Sequence, residues 1–211
     1  QTKINLDNEI KFLKTHHAFW RNGNYAFTDL ENTLGVIHII RDPRNVITSV
    51  FNHFNIDSYA HALEFMKDPL QCIGVKGGES GHDLMTIISS WGNHYSSWKK
   101  FKKNNLLIKY ENLINNPEKE FVKLCNFIED ISDLKFEKKL ILRAIESCNF
   151  NTLKKQEASN GFSEGTINKA NIKNEFFNLG PKNDWKKLLN KEIKDKIEIL
   201  FEKEMKEAGY L

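Results

Sequence analysis

The sequence predicts an α/β domain in which a central parallel sheet is flanked by helices. Short apolar runs such as 35–40 and 106–110 alternate with longer segments of helical period, as strands and crossover helices do. The 211 residues are 40% hydrophobic and 28% charged, which suits one globular unit with a single core. No internal repeat or low-complexity linker divides the chain, so residues 1–211 read as one domain.

Each element has its own signal. Residues 9–15 (EIKFLKT), with Ile10, Phe12 and Leu13 apolar, read as a strand running into a site. Residues 35–40 (GVIHII) form an almost unbroken apolar run before a turn, as a buried parallel strand does. Asp42 then caps a helix with Pro43 at its first position, and Val46, Ile47, Val50 and Phe51 give that helix an apolar face. Residues 106–110 (LLIKY) are a second buried strand. The helix expected over 116–128 has Pro117 near its start and Phe121, Leu124, Cys125 and Ile128 on one side. Further helices are expected at 56–67, 84–101, 135–147 and 189–208, the last with Ile193, Ile197, Leu200 and Phe201 at helical spacing. The Gly-rich stretch 74–81 and the polar stretch 156–176, broken by Gly161 and Gly165, read as mobile loops.

Composition removes several function classes. A formal charge of +3, with acidic and basic residues interleaved, argues against nucleic acid as the main partner. No run of about 18 apolar residues exists to span a membrane. Cys72, Cys125 and Cys148 lack metal-ligand spacing and read as reduced thiols, so no metal site is expected and the cytoplasm is the expected location. Only four of 31 basic residues are Arg, yet two stand in one tetrapeptide, Arg41-Asp42-Pro43-Arg44. Arg presents a planar fork to phosphate that Lys cannot imitate, although a surface salt bridge would use the same residues.

The chemistry concentrates there. A buried strand, a tight turn and a helix opening on Asp-Pro place Arg41 at the strand's carboxyl end, where ligands bind in open α/β sheets. Helix N-termini also attract phosphate. Ser49 lies eight residues on, about two helical turns into the helix.

This unit resembles the 3′-phosphate-binding motif of the cytosolic-type sulfotransferase family, in which an Arg and a Ser stand eight residues apart. Other blocks follow in the family's order. Lys14-Thr15-His16 resembles its Lys-Thr-His block, which implies that His16 is the base for the acceptor proton and that Lys14 lies close to the transferring group. His17, next to it, would point the other way in a strand. Trp91, His94 and Trp98 match a Trp-x-x-His-x-x-x-Trp helix; the resemblance puts Trp91 on the adenine and His94 on the acceptor, while core packing explains the two Trp equally well. The block around Tyr110 is similar to the family's Tyr-Glu-Asp-Leu strand and helix, which implies an adenine contact, a core Tyr being the alternative. Residues 147–153 look like its Thr-Ser-Phe-x-x-Met segment, with Phe150 matching.

The last block departs from the family. Residues 177–186 align with Arg-Lys-Gly-x-x-Gly-x-Trp through Gly180 and Trp185, with Lys182 as a nearby cation. Asn178 and Leu179 replace the Arg-Lys pair, and Asn183 replaces the second Gly. Losing two cations should weaken the hold on the 3′-phosphate. Nothing in residues 1–12 resembles the Tyr-Pro-Lys-Ser-Gly-Thr-Thr loop that cradles the 5′-phosphosulfate, and the expectation is a domain lacking its first strand and loop. The resemblance implies a P-loop NTPase-like three-layer fold and in-line sulfuryl transfer from 3′-phosphoadenosine-5′-phosphosulfate (PAPS) to a small-molecule hydroxyl or amine, leaving 3′,5′-ADP. A noncatalytic nucleotide-binding relative is the alternative, and a P-loop kinase the third reading. The oligomeric state stays open, a homodimer included.

Overall fold

The computed structural model describes residues 9–74, 85–166 and 174–211. Arg21–Asn22 (β1) and Tyr25–Ala26 (β2) form a short antiparallel hairpin. Val36–Ile40 (β3) leads into Pro43–His53 (α1), followed by Tyr59–Lys67 (α2). A second antiparallel pair, Cys72–Ile73 (β4) and Thr86–Ile87 (β5), precedes Trp91–Trp98 (α3). Asn105–Lys109 (β6) then gives way to Tyr110–Asn115 (α4), Pro117–Ile131 (α5), Lys138–Ser147 (α6) and Phe150–Asn160 (α7). A 3-10 turn at Gly180–Lys182 leads to Trp185–Leu188 (α8), Lys191–Leu200 (α9) and Glu202–Ala208 (α10).

The organising sheet is the parallel pair β3–β6, with Val36 opposite Asn105 and Ile40 opposite Lys109. The crossover between them carries α1, α2 and α3, as a parallel connection requires. Side chains alternate along β3. His38 and Ile40 are buried toward Tyr95 of α3, whereas Ile39 faces the other way and is 56% exposed. Helices α4 and α5 pack on β6. The main core lies between α1, α2, α9 and α10, where Ile47, Leu63, Met66, Ile193, Ile197, Phe201 and Met205 are buried together.

The elements differ from the sequence expectation in instructive places. Residues 9–15 carry no regular structure, and Phe12 and Leu13 are 64% and 71% exposed. A strand is held by a neighbour's hydrogen bonds, and among the described residues no strand pairs with this segment. The final helix is two helices, separated at Phe201, and Leu200 turns outward while Phe201 is buried. Asn149 caps α7 through the Thr152 N–H, and α7 continues to Asn160 before Gly161, at φ 74°, ends it; the first part of the expected loop is therefore helical. Residues 75–81 of the Gly-rich stretch and residues 167–173 lie outside the described residues. Among the described residues no helix is long and apolar enough to cross a membrane.

Arg44 ties these layers together. Its guanidinium is buried and engaged at all three nitrogens: Nε donates to Asp42 at 2.9 Å, Nη1 to Glu198 of α9 at 2.6 Å, and Nη2 to Asp42 at 2.7 Å and the Tyr210 carbonyl at 2.9 Å. The Trp185 ring lies beneath it, 4.2 Å from centroid to cation. Removing one member of a buried charged cluster leaves the others uncompensated. Arg44→Met should therefore lower the unfolding free energy by about 3–5 kcal/mol, read as a drop in urea midpoint at constant slope. A loss no larger than that of a surface substitution would contradict this role.

Candidate functional site

Arg41, one turn of chain away from Arg44, has the opposite character. It sits at the carboxyl end of β3, with Nη1 3.5 Å from Ser49 Oγ and Nη2 3.5 Å from the Gly180 carbonyl. Both contacts are at the long limit for a hydrogen bond. Its Nε is buried and has no hydrogen-bond partner. Tyr110, the first residue of α4, stacks its ring 4.3 Å from the guanidinium carbon. Burial pushes the Arg41 pKa down, opposed by Tyr110, Glu111, Asp42 and Tyr210, and a guanidinium keeps its charge through such a shift. A half-buried fork with an unpartnered Nε, a hydroxyl beside it and an aromatic face below fits an anionic phosphate oxygen.

The N-terminus of α1 is less open than the sequence suggested. Asp42 Oδ1 accepts from the Arg44 N–H, the Asp42 carbonyl accepts from Asn45 N, and Pro43 has no N–H to give. Glu111 fixes the cap from behind, accepting from the Asp42 N–H at 2.9 Å and from the Tyr210 hydroxyl at 3.0 Å. The helix start thus serves to aim Arg41, and the open donors are the side chains of Arg41 and Ser49.

The C-terminal signature closes over the same point. Gly180 has φ 52°, and a Cβ there would lie 2.1 Å from the Phe150 ring, so both conformation and contact demand glycine. Asn183 is buried: Oδ1 accepts from Thr48 Oγ1 at 2.8 Å, and Nδ2 donates to the Asn45 carbonyl at 3.1 Å. Asn45 Oδ1 in turn accepts from the Trp185 N–H at 3.0 Å. The residue in place of the family's second Gly is therefore a clasp between this segment and α1. Lys182 and Asn178 are exposed on the segment, and Leu179 is half-buried.

Beside Arg41 and Tyr110 opens a cavity of about 300 Å³, lined by Trp91, His94, His38 and Ile39 and by apolar side chains of α1 and α2. Trp91 stacks on Tyr95 with rings 8° from parallel. Burial lowers the His94 pKa, with the His16 charge acting the same way and the His16 and His17 backbone opposing it. His38, 5.8 Å from His94 between ring centroids, is pushed down to about 4 by burial and then by His94. An unfolded His binds its proton near pH 6.5 and the folded one only near 4, so falling pH favours the unfolded state across that window. From about pH 7.5 to about pH 5 His38 alone should remove about 2 kcal/mol of stability. Urea unfolding of His38→Phe should show a smaller acid loss than the parent; an equal loss would contradict it.

Lys14 and His16 lie together on the irregular N-terminal segment. Lys14 Nζ donates to Glu164, whose other carboxylate oxygen is 3.9 Å from His16 Nε2. His17 is held differently. Its Nδ1 accepts from the Ile87 N–H at 3.1 Å, its carbonyl accepts from Trp98 Nε1 at 3.0 Å, and its ring packs on Phe27. Burial lowers its pKa. His17 and Trp98 are structural, and His16 is left accessible.

The family model for the sulfotransferase domain matches residues 2–209. The chain belongs to the sulfotransferase domain family. Sulfotransferase 2A1 of Macaca fascicularis is 27% identical over 176 residues, which are 81% of this chain and 56% of the relative. Sulfotransferase 1B1 of Canis lupus familiaris is 25% identical, covering 83% of this chain and 56% of the relative. Cytosolic sulfotransferase 17 of Arabidopsis thaliana is 24% identical, covering 83% and 51%. The chain therefore spans about half the length of the curated relatives it matches. Among solved structures, mouse sulfotransferase SULT7A1 complexed with PAP superposes with a TM-score of 0.57 at 20% identity, over 81% of this chain and 58% of that one. Retinol dehydratase in complex with androsterone and PAP gives 0.53 at 17%, over 82% and 47%. These likenesses are of fold: a P-loop-like α/β sulfotransferase architecture.

Within this sulfotransferase-family fold the candidate residues fall into two adjoining groups. Arg41, Ser49, Tyr110, Gly180 and Phe150 form one, with Trp91 and His94 along the cavity; Lys14 and His16 form the other. Sequence patterns missed Glu111, Asn183, His38 and Glu164. Glu111 could have been found, since it directly follows Tyr110 in the matched block. Asn183 stands in the matched terminal block in place of the second Gly, whereas His38 and Glu164 sit in positions with no local signature.

Proposed function

We propose that the protein transfers a sulfuryl group from PAPS to the hydroxyl or amine of a small-molecule acceptor. The observation that carries this reading is the half-buried Arg41 fork, unpartnered at its buried Nε and faced by Ser49 and Gly180. PAPS would supply the sulfuryl group and depart as 3′,5′-ADP. Arg41 and Ser49 hold the 3′-phosphate, with the Gly180 backbone and Lys182 at its side. Tyr110, Trp91 and Phe150 offer aromatic surface to the nucleoside. His16 takes the acceptor proton as the acceptor oxygen or nitrogen bonds to sulfur in line with the departing oxygen, and the Lys14 ammonium meets the charge that develops there. His94 contacts the acceptor from the cavity wall. A single domain over residues 1–211 and a cytoplasmic location belong to the same proposal, supported by the extent of the family match and by a relative named as cytosolic.

The test is a transfer assay on the full-length protein with radiolabelled PAPS and phenol, alcohol and amine acceptors. The expected result is labelled product with an equal amount of 3′,5′-ADP. Tight nucleotide binding without transfer to any acceptor would favour a noncatalytic relative instead.

A further inference from the structure

Glu164 touches both residues assigned to the chemistry, and nothing in the sequence pattern marks it. Among the described residues it is the one carboxylate in ion-pair range of Lys14 or His16. Those two need such a partner. Residues 9–16 form no ladder and the Lys14 and His16 side chains are exposed, whereas His17 is held by Ile87 and Trp98.

Glu164 itself is tethered from both sides. Downstream, Thr166 Oγ1 donates to the His53 carbonyl at the end of α1 at 2.8 Å. Asn174 Nδ2 donates to the Asn52 carbonyl at 3.1 Å and to Asn55 Oδ1 at 2.7 Å. Upstream, Phe162 packs on Phe176 and Phe177, with centroids 4.6 and 5.1 Å apart. The Glu157 carboxylate of α7 accepts from the N–H groups of both those residues, at 2.7 and 2.9 Å. Described residues on both sides of Glu164 are thus tethered, and its carboxylate meets two exposed side chains of a segment without regular structure.

An exposed ion pair of this kind adds little to stability, because water screens it and long side chains lose freedom. Its effect is on placement, where a displacement of about 1 Å can cost on the order of 100-fold in rate. We propose that Glu164 is a positioning residue that fixes Lys14 and His16 beside each other for the transfer step. The contact stands on geometry; its role in transfer rests on the sulfuryl-transfer reading above.

The experiment combines NMR of the histidine ring signals in the unliganded full-length protein with steady-state kinetics on Glu164→Ala and Glu164→Asp. Glu164→Ala should move the His16 signals, leave the His17 signals and Tm in place, and lower kcat by about 10- to 100-fold with the loss on kcat rather than KM. Glu164→Asp should recover part of that loss. Unmoved His16 signals in Glu164→Ala overturn the placement. Moved signals with unchanged kcat in an active parent overturn the link to transfer. A parent without transfer overturns the sulfuryl-transfer reading instead, and the His16 signals then decide the placement alone.

Discussion

His16→Ala should lose roughly two to four decades of kcat, the usual range for removing a general base, while binding of 3′,5′-ADP stays as in the parent. The separation follows from the layout: His16 on the N-terminal segment meets Glu164, whereas Arg41 meets Ser49 and Gly180. His17→Ala is the matched control. Its ring accepts from the Ile87 N–H and packs on Phe27, so its loss should appear as lower Tm with kcat nearly retained. If His17→Ala abolishes turnover and His16→Ala does not, the roles of the two residues are reversed.

Arg41→Ala should weaken 3′,5′-ADP binding at least tenfold, because a charge-assisted bond to phosphate contributes about 1.5–3 kcal/mol. The fold should survive. The hydrogen bonds of the Arg41 side chain to Ser49 and Gly180 are both at the long limit, and it also stacks on the Tyr110 ring, whereas the interlayer ties belong to Arg44. The two arginines of one tetrapeptide therefore separate cleanly: Arg41→Ala lowers affinity at constant urea midpoint, and the Arg44 variant lowers the midpoint. Lys182, exposed on the Gly180 turn, is the nearest cation offered by the sequence as compensation. Equal affinity in Arg41→Ala would show that the phosphate is held elsewhere.

Local signals were legible where one short stretch contains its own reason. The apolar run before Arg41 became β3, and Asp42-Pro43 became the cap and first position of α1. The spacing of Arg41 and Ser49 also survives as a 3.5 Å approach, made by the long Arg41 side chain reaching along α1 from the strand end to the hydroxyl. What failed depended on partners distant in sequence. Residues 9–15 have a strand's composition, but pairing is a property of two segments and the second is not beside them among the described residues. The Asn183 clasp needs Thr48 and Asn45, 135 and 138 positions away, and Glu164 meets Lys14 across 150. Phe201 joins the core as expected, but Leu200 turns outward because the helix breaks at Phe201, which a continuous helical period cannot register.

The central claim is that the end of β3 is a site for a nucleotide carrying a 3′-phosphate. Isothermal titration of the full-length protein with 3′,5′-ADP and with 5′-AMP addresses it most directly. The account predicts one 3′,5′-ADP bound per chain and an affinity at least tenfold above that for 5′-AMP, the difference being the Arg41 and Ser49 contacts, about 1.4 kcal/mol or more. Equal affinity for the two nucleotides, or no binding of either, would contradict it.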